Sequence, residues 1–89
     1  MPDLSGKVAI VTGCASGIGA ATLRRLRADG AEVLGTDLDA SGGAALCAEV
    51  GAQFAVQDVS DRAAWPVIVA RAVEAFGRLD ILVNNAGMV

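Results

Sequence analysis

Histidine and tyrosine are absent from the 89 residues, lysine occurs once, at Lys7, and there are two cysteines. Without histidine, a zinc or iron centre would have to come almost wholly from carboxylates, so no metal is expected. Cys14 and Cys47 are too few and too far apart for a disulfide framework. Basic residues are outnumbered seven to ten, for a net charge of −3, and the arginines are scattered. Nothing resembles the basic stripe that neutralises nucleic-acid phosphates, so no nucleic-acid partner is expected. Apolar runs all fall well short of the roughly 20 residues that cross a bilayer. The opening Met1-Pro2-Asp3-Leu4-Ser5 lacks the basic and apolar regions of a signal peptide, and a cytoplasmic protein with no membrane partner is expected.

Apolar residues are plentiful: 54% of the chain, against 19% charged. That excess points to elements buried on two sides. The length allows one domain or less, yet it suffices for a core without disulfides or metals.

Apolar runs alternate with amphipathic stretches. The pattern predicts strands over Lys7 to Thr12, Glu32 to Thr36, Gln53 to Gln57 and Leu79 to Asn84, and helices over Gly17 to Asp29, Ser41 to Val50 and Asp61 to Phe76. Such βαβαβαβ alternation implies a parallel sheet with helical crossovers. Ile18, Gly19, Thr22, Leu23 and Leu26 form the expected buried face of the first helix. Trp65, Ile68, Val69, Ala72 and Phe76 form that of the third, read as core packing, with Ser60 as its cap. Pro66 lies where a kink or a late helix start is expected. The continuous runs Val8-Ala9-Ile10-Val11 and Ile81-Leu82-Val83 predict neighbouring central strands covered on both faces.

Between the first strand and first helix stands Thr12-Gly13-Cys14-Ala15-Ser16-Gly17-Ile18-Gly19. A strand that turns sharply into a helix leaves unpaired N–H groups where the macrodipole also favours negative charge, which makes an anion site. Gly13 is read as serving the tight turn, Gly17 the close approach of a pyrophosphate, and Gly19 the contact of helix on strand. The spacing G-x-x-x-G-x-G differs from the general dinucleotide fingerprint, and no lysine follows as an NTPase loop requires. Asp37 closes the second strand about 20 residues on, where an acid accepts both ribose hydroxyls of adenosine and repels a 2′-phosphate. Neither Ser16 nor Leu38 is basic, so NAD is expected rather than NADP. Asp39 reads as a turn former. A helix N-terminus can lower the thiol pKa of Cys14, but a small tolerated residue is the simpler reading. Cys47 reads as core, and Arg24, Arg25 and Arg27 as a solvated face.

The glycine loop, Asp58-Val59 after the third strand and Asn84-Asn85-Ala86-Gly87 after the fourth together resemble the classical short-chain dehydrogenase/reductase family, across essentially the whole chain. The resemblance implies an α/β fold, a Rossmann-type doubly wound parallel sheet. It would be partial, with four strands in the order 3-2-1-4 and three helices, residues 1–89 forming the N-terminal NAD-binding half. It implies that Ser16, Gly17 and Ile18 line the diphosphate and adenosine ribose, that Asp37 holds the ribose hydroxyls, and that Asp58 takes the adenine amino group with the Val59 amide on a ring nitrogen. Asn85, Ala86 and Gly87 would border the riboses. In the family the asparagine-rich turn also ties the fourth strand to its neighbours, so a structural role is implied for Asn84 and Asn85 as well.

Family members transfer hydride with a tyrosine, a lysine four residues later, a serine and an asparagine. None of that set is recognisable here, so no catalytic residue is assigned, and the chain alone is expected to be catalytically incomplete. The leading expectation is an NAD-dependent oxidoreductase acting on a small-molecule alcohol or carbonyl, represented by its cofactor-binding half. The alternatives are a non-catalytic dinucleotide-binding or oligomerisation module, or a truncated remnant. An uncovered fourth strand implies a homo-oligomer, pairing copy to copy along that strand, or aggregation.

Overall fold

Each stretch of period-two or period-3.6 hydrophobicity becomes an element in the computed structural model, which describes residues 3–85. In chain order these are β1 (Val8–Thr12), α1 (Gly17–Ala28), β2 (Glu32–Asp37), α2 (Ala40–Val50), β3 (Gln53–Val56), α3 (Ala64–Phe76) and β4 (Ile81–Asn84). The strands form one parallel sheet ordered β3-β2-β1-β4. This is the partial Rossmann arrangement the resemblance implies.

Two core layers follow from strand alternation. Ala9, Val11 and Val33 pack with Leu23 of α1 and with Leu46 and Cys47 of α2 on one face, while Ile10, Leu34 and Ala55 pack with Ile68 and Ala72 of α3 on the other. The chain steps from β1 outward to β2 and β3, then returns past β1 to β4. Reversing the direction of travel while keeping right-handed crossovers moves the connecting helix to the opposite face. A crevice therefore opens at the carboxyl ends of the strands, where ligands of such sheets bind.

Several local expectations need correction. β1 is buried throughout, but β4 is not a doubly covered strand: Leu82 is 54% exposed. Leu82 stands beside Ile10 in the register and so shares its face, but α3 packs chiefly on β1 and β2 and leaves that part of β4 bare. Ser60 does not cap α3. That helix starts at Ala64, preceded by Ala63 with no side-chain cap. This late start puts Pro66 in the first turn, where its missing N–H has no helical partner to lose. Ile18, expected in the core, is 69% exposed at the opening of α1. Arg27 also leaves its solvated face: its guanidinium donates to the carbonyls of Val50 (3.0 Å) and Ala31 (2.8 Å), joining α1 to the end of α2.

Candidate cofactor cleft

At the carboxyl edge of β1, β2 and β3 lies a cleft of about 330 Å3, within the size range of small-molecule pockets. Gly13, Ala15 and Ser16 of the β1–α1 loop form one wall; Asp37, Leu38 and Asp39 follow β2; Gln57, Asp58 and Val59 follow β3. Five of the expected residues, Gly13, Ser16, Asp37, Asp58 and Val59, thus meet around one space.

The loop owes its shape to its glycines. Gly13 has φ +66, a left-handed turn that side-chain-bearing residues adopt at a cost. A Cβ at Gly19 would collide with the Gly13 carbonyl, so this glycine allows α1 to sit directly against the loop rather than against the strand itself. Gly17 differs from both: its φ is ordinary, and a Cβ there would meet nothing within 4 Å. A glycine opening a helix with neither turn nor packing to require it leaves free space over the helix N-terminus, as a bound pyrophosphate needs. Ser16 precedes the helix in extended backbone and its hydroxyl donates to the Gly13 carbonyl at 3.3 Å, leaving the N-terminal amides without a side-chain cap.

Asp37 joins strand end to loop. Its Oδ2 accepts from the Ala15 amide at 2.9 Å and its Oδ1 from the Asp39 amide at 2.9 Å. A carboxylate has about four acceptor sites, so two further donors, such as a pair of ribose hydroxyls, fit the same group. Asp39 is a turn former in the sense expected, as the N-cap of α2 accepting from the Gly42 amide at 3.0 Å.

Asp58 is exposed at the cleft rim. Its Oδ1 accepts the Ser60 hydroxyl (2.6 Å) and amide (2.9 Å), and these bonds hold its carboxyl below the ordinary aspartate range. It therefore stays an acceptor near neutral pH. The adjoining Val59 is held from behind: the Trp65 indole N–H donates to its carbonyl at 3.1 Å. Trp65 was read as core alone, and this polar tie was missed. The signal lay in the sequence, since a part-buried indole N–H requires an acceptor.

On the far side of β1, Asn84 pairs with Thr12 in the register and accepts its hydroxyl at 2.9 Å, the strand-tying role implied for it. The neighbouring Asn85 carries a buried Nδ2 with no partner among the described residues. Ala86 and Gly87, also expected at the cofactor, lie outside the described residues.

Cys14 is not an activated thiol. Burial and the neighbouring Cys47 push it up to about 12, and burial raises Cys47 also. The two sulfurs flank Gly35 of β2, where a Cβ would lie 2.8 Å from Cys47 Sγ and 3.0 Å from Cys14 Sγ. They fill the space a side chain at Gly35 would have taken. Among the described residues no three His, Cys, Asp or Glu side chains come together as a metal site, and no helix is long and apolar enough to cross a membrane.

Known proteins share this arrangement. The chain is 42% identical over 88 residues to a 3-beta-hydroxysteroid dehydrogenase of Comamonas testosteroni, covering 97% of this chain and 35% of that protein. It is 43% identical over 90 residues to a D-threitol dehydrogenase of Mycolicibacterium smegmatis, covering 96% and 35%. The crystal structure of a hydroxysteroid dehydrogenase from Escherichia coli superposes with a TM-score of 0.90 at 31% identity, over 96% of this chain and 37% of that one. The chain thus spans about a third of the length of these relatives. Residues 7–89 match the short chain dehydrogenase family, and with the parallel sheet and glycine loop in place the chain belongs to that family.

Proposed function

We propose that this chain is the NAD-binding half of an oxidoreductase that moves hydride between nicotinamide and an alcohol or carbonyl substrate. The observation that carries the reading is the cleft itself, lined by Gly13, Ala15 and Ser16 just ahead of the open helix N-terminus at Gly17, with the Asp37 carboxylate tied to that loop by the Ala15 amide. Gly13, Ser16, Gly17, Ile18 and Gly19 would receive the pyrophosphate and the adjoining ribose, Asp37 the ribose hydroxyls, and Asp58 with the Val59 amide the adenine. Asn85, with Ala86 and Gly87, would border the riboses, and the unpartnered Asn85 amide suits such a contact. The bound coenzyme supplies the hydride donor or acceptor. The chain's own residues bind and orient it.

The relatives are named for a hydroxysteroid and for D-threitol, yet both share over 40% identity with this chain across the same segment. That two relatives named for different substrates match over the same segment supports the reading that this segment serves the coenzyme rather than substrate choice.

Calorimetric titration with NAD and NADP, on wild type and Asp37→Ala, tests the assignment. Wild type should bind NAD saturably and more tightly than NADP, because the carboxylate accepts the 2′-hydroxyl and repels a 2′-phosphate. The variant should lose NAD affinity and narrow the gap by roughly tenfold, about 1.4 kcal/mol. Absence of saturable NAD binding, or an unchanged preference in the variant, overturns the reading.

A further inference from the structure

The floor of the cleft holds an amide whose hydrogen bonding is half met. Gln57 follows β3, its main-chain N–H donating to the Asp37 carbonyl at 3.1 Å, and its side chain is 3% exposed. Oε1 accepts the buried Thr36 hydroxyl at 2.8 Å. Nε2 is buried and has no partner among the described residues. Native structures hold few such groups, and each calls for an explanation such as a missing ligand. The bond from Thr36 accounts for the oxygen end of the amide and leaves the NH2 end unaccounted for.

The chemistry of the missing partner follows from the group and its surroundings. An amide NH2 only donates, so the partner offers a lone pair. Asp37 and Asp58 already place negative charge on the same cleft, which disfavours a second anion between them and leaves a neutral acceptor. Purine ring nitrogens are neutral in-plane acceptors, and Gln57 lines the same cleft as the carboxylates assigned to ribose and base.

We infer that Gln57 is a specificity-determining residue for the base of the bound dinucleotide, its Nε2 donating to a ring nitrogen of the purine. The inference rests on the NAD reading above. Thr36 anchors the oxygen end of the amide and thereby fixes the planar group, NH2 included, on a residue that lines the cleft.

The test titrates wild type and Gln57→Met with NAD and with AMP by calorimetry, and measures the thermal midpoints of both ligand-free proteins. Methionine keeps length and volume but removes both the Nε2 donor and the acceptor of the Thr36 hydroxyl. Affinity for both ligands should fall about tenfold, near the upper end for one hydrogen bond, while the ligand-free midpoint holds, because one unmet buried donor, Nε2, is exchanged for another, the Thr36 hydroxyl. Equal affinities overturn the inference. A midpoint that falls together with affinity also overturns it, by making Gln57 a structural residue. Should the variant not fold, the wild-type side-chain amide resonances decide: on AMP addition the Gln57 NH2 signal should move downfield and exchange more slowly, and an unmoved signal overturns the proposal. Wild type that binds neither ligand removes the NAD reading itself, a result distinct from wild type and Gln57→Met binding alike.

Discussion

Gly17 separates a glycine kept for the chain's own sake from one kept for a guest. Gly13 needs its positive φ and Gly19 its missing Cβ, so alanine at either position would strain the loop. Alanine at Gly17 meets open space and is the better helix former. Gly17→Ala should therefore stabilise the ligand-free protein by a few tenths to about 1 kcal/mol and weaken NAD by roughly tenfold or more, since the methyl group occupies the pyrophosphate's approach. Thermal melts and calorimetry on the same variant check both signs, and loss of stability would place Gly17 with the structural glycines. At this scale much of the cleft was legible. A glycine loop, an acid at a strand end and an Asp-Val pair carry their meaning in residue type and spacing. Gln57 and Trp65 were not legible as site residues, because glutamine at a strand end and tryptophan in a helical stripe declare a role only when their polar atoms are followed to a partner, or to none.

At the scale of elements, alternation and register were readable, since period and strand order follow from hydrophobic spacing and the handedness of crossovers. The ends were less so. The start of α3 moved to Ala64 because the bonds of Asp58 and Asp61 fold the preceding residues into turns of their own, leaving Ser60 engaged with Asp58. How β4 is fastened to β1 was also unread. The Asp80 amide donates to the Val8 carbonyl at 2.9 Å while its Oδ2 accepts the Val8 amide at 2.9 Å, a reciprocal clasp one residue ahead of the strand pairing. Arg78 completes it, donating to Oδ1 at 2.7 and 3.1 Å, and chiefly this guanidinium, with the Val8 amide, holds the Asp80 carboxyl below its ordinary range. Because the folded pKa lies under the unfolded one, the clasp's contribution is complete above the ordinary carboxylate range and is lost as pH falls through the lowered value. Asp80→Asn should lower the thermal midpoint at neutral pH, and the gap from wild type should shrink toward about pH 3 as the wild-type carboxylate protonates. A gap that stays constant over that range would assign the loss to geometry rather than charge.

For the whole molecule, the feature that composition anticipated is the apolar surface left on one side. Leu82 of β4 (54% exposed) and Val73 of α3 (44%) stay open to water, and β4 pairs with β1 alone among the described strands. The high apolar content is thus only partly absorbed by the two core layers, and part of the remainder lies on α3 and at the β4 edge. At about 25 cal/mol per Å2, covering a few hundred Å2 of such surface is worth several kcal/mol, comparable with the roughly 5 to 15 that hold a domain together. A strand edge with unpaired N–H and C=O groups beside exposed leucine and valine is also a template for a further strand. This chain in solution should therefore associate with its own copies through β4, and a charge on that edge should oppose the contact at little cost to the fold, since Leu82 lies outside both core layers. In sedimentation velocity the wild type should shift to larger species as concentration rises. Leu82→Lys should remain monomeric over the same range with an unchanged circular dichroism spectrum, and a monodisperse wild-type monomer at every concentration would show that this surface is stable in water as it stands.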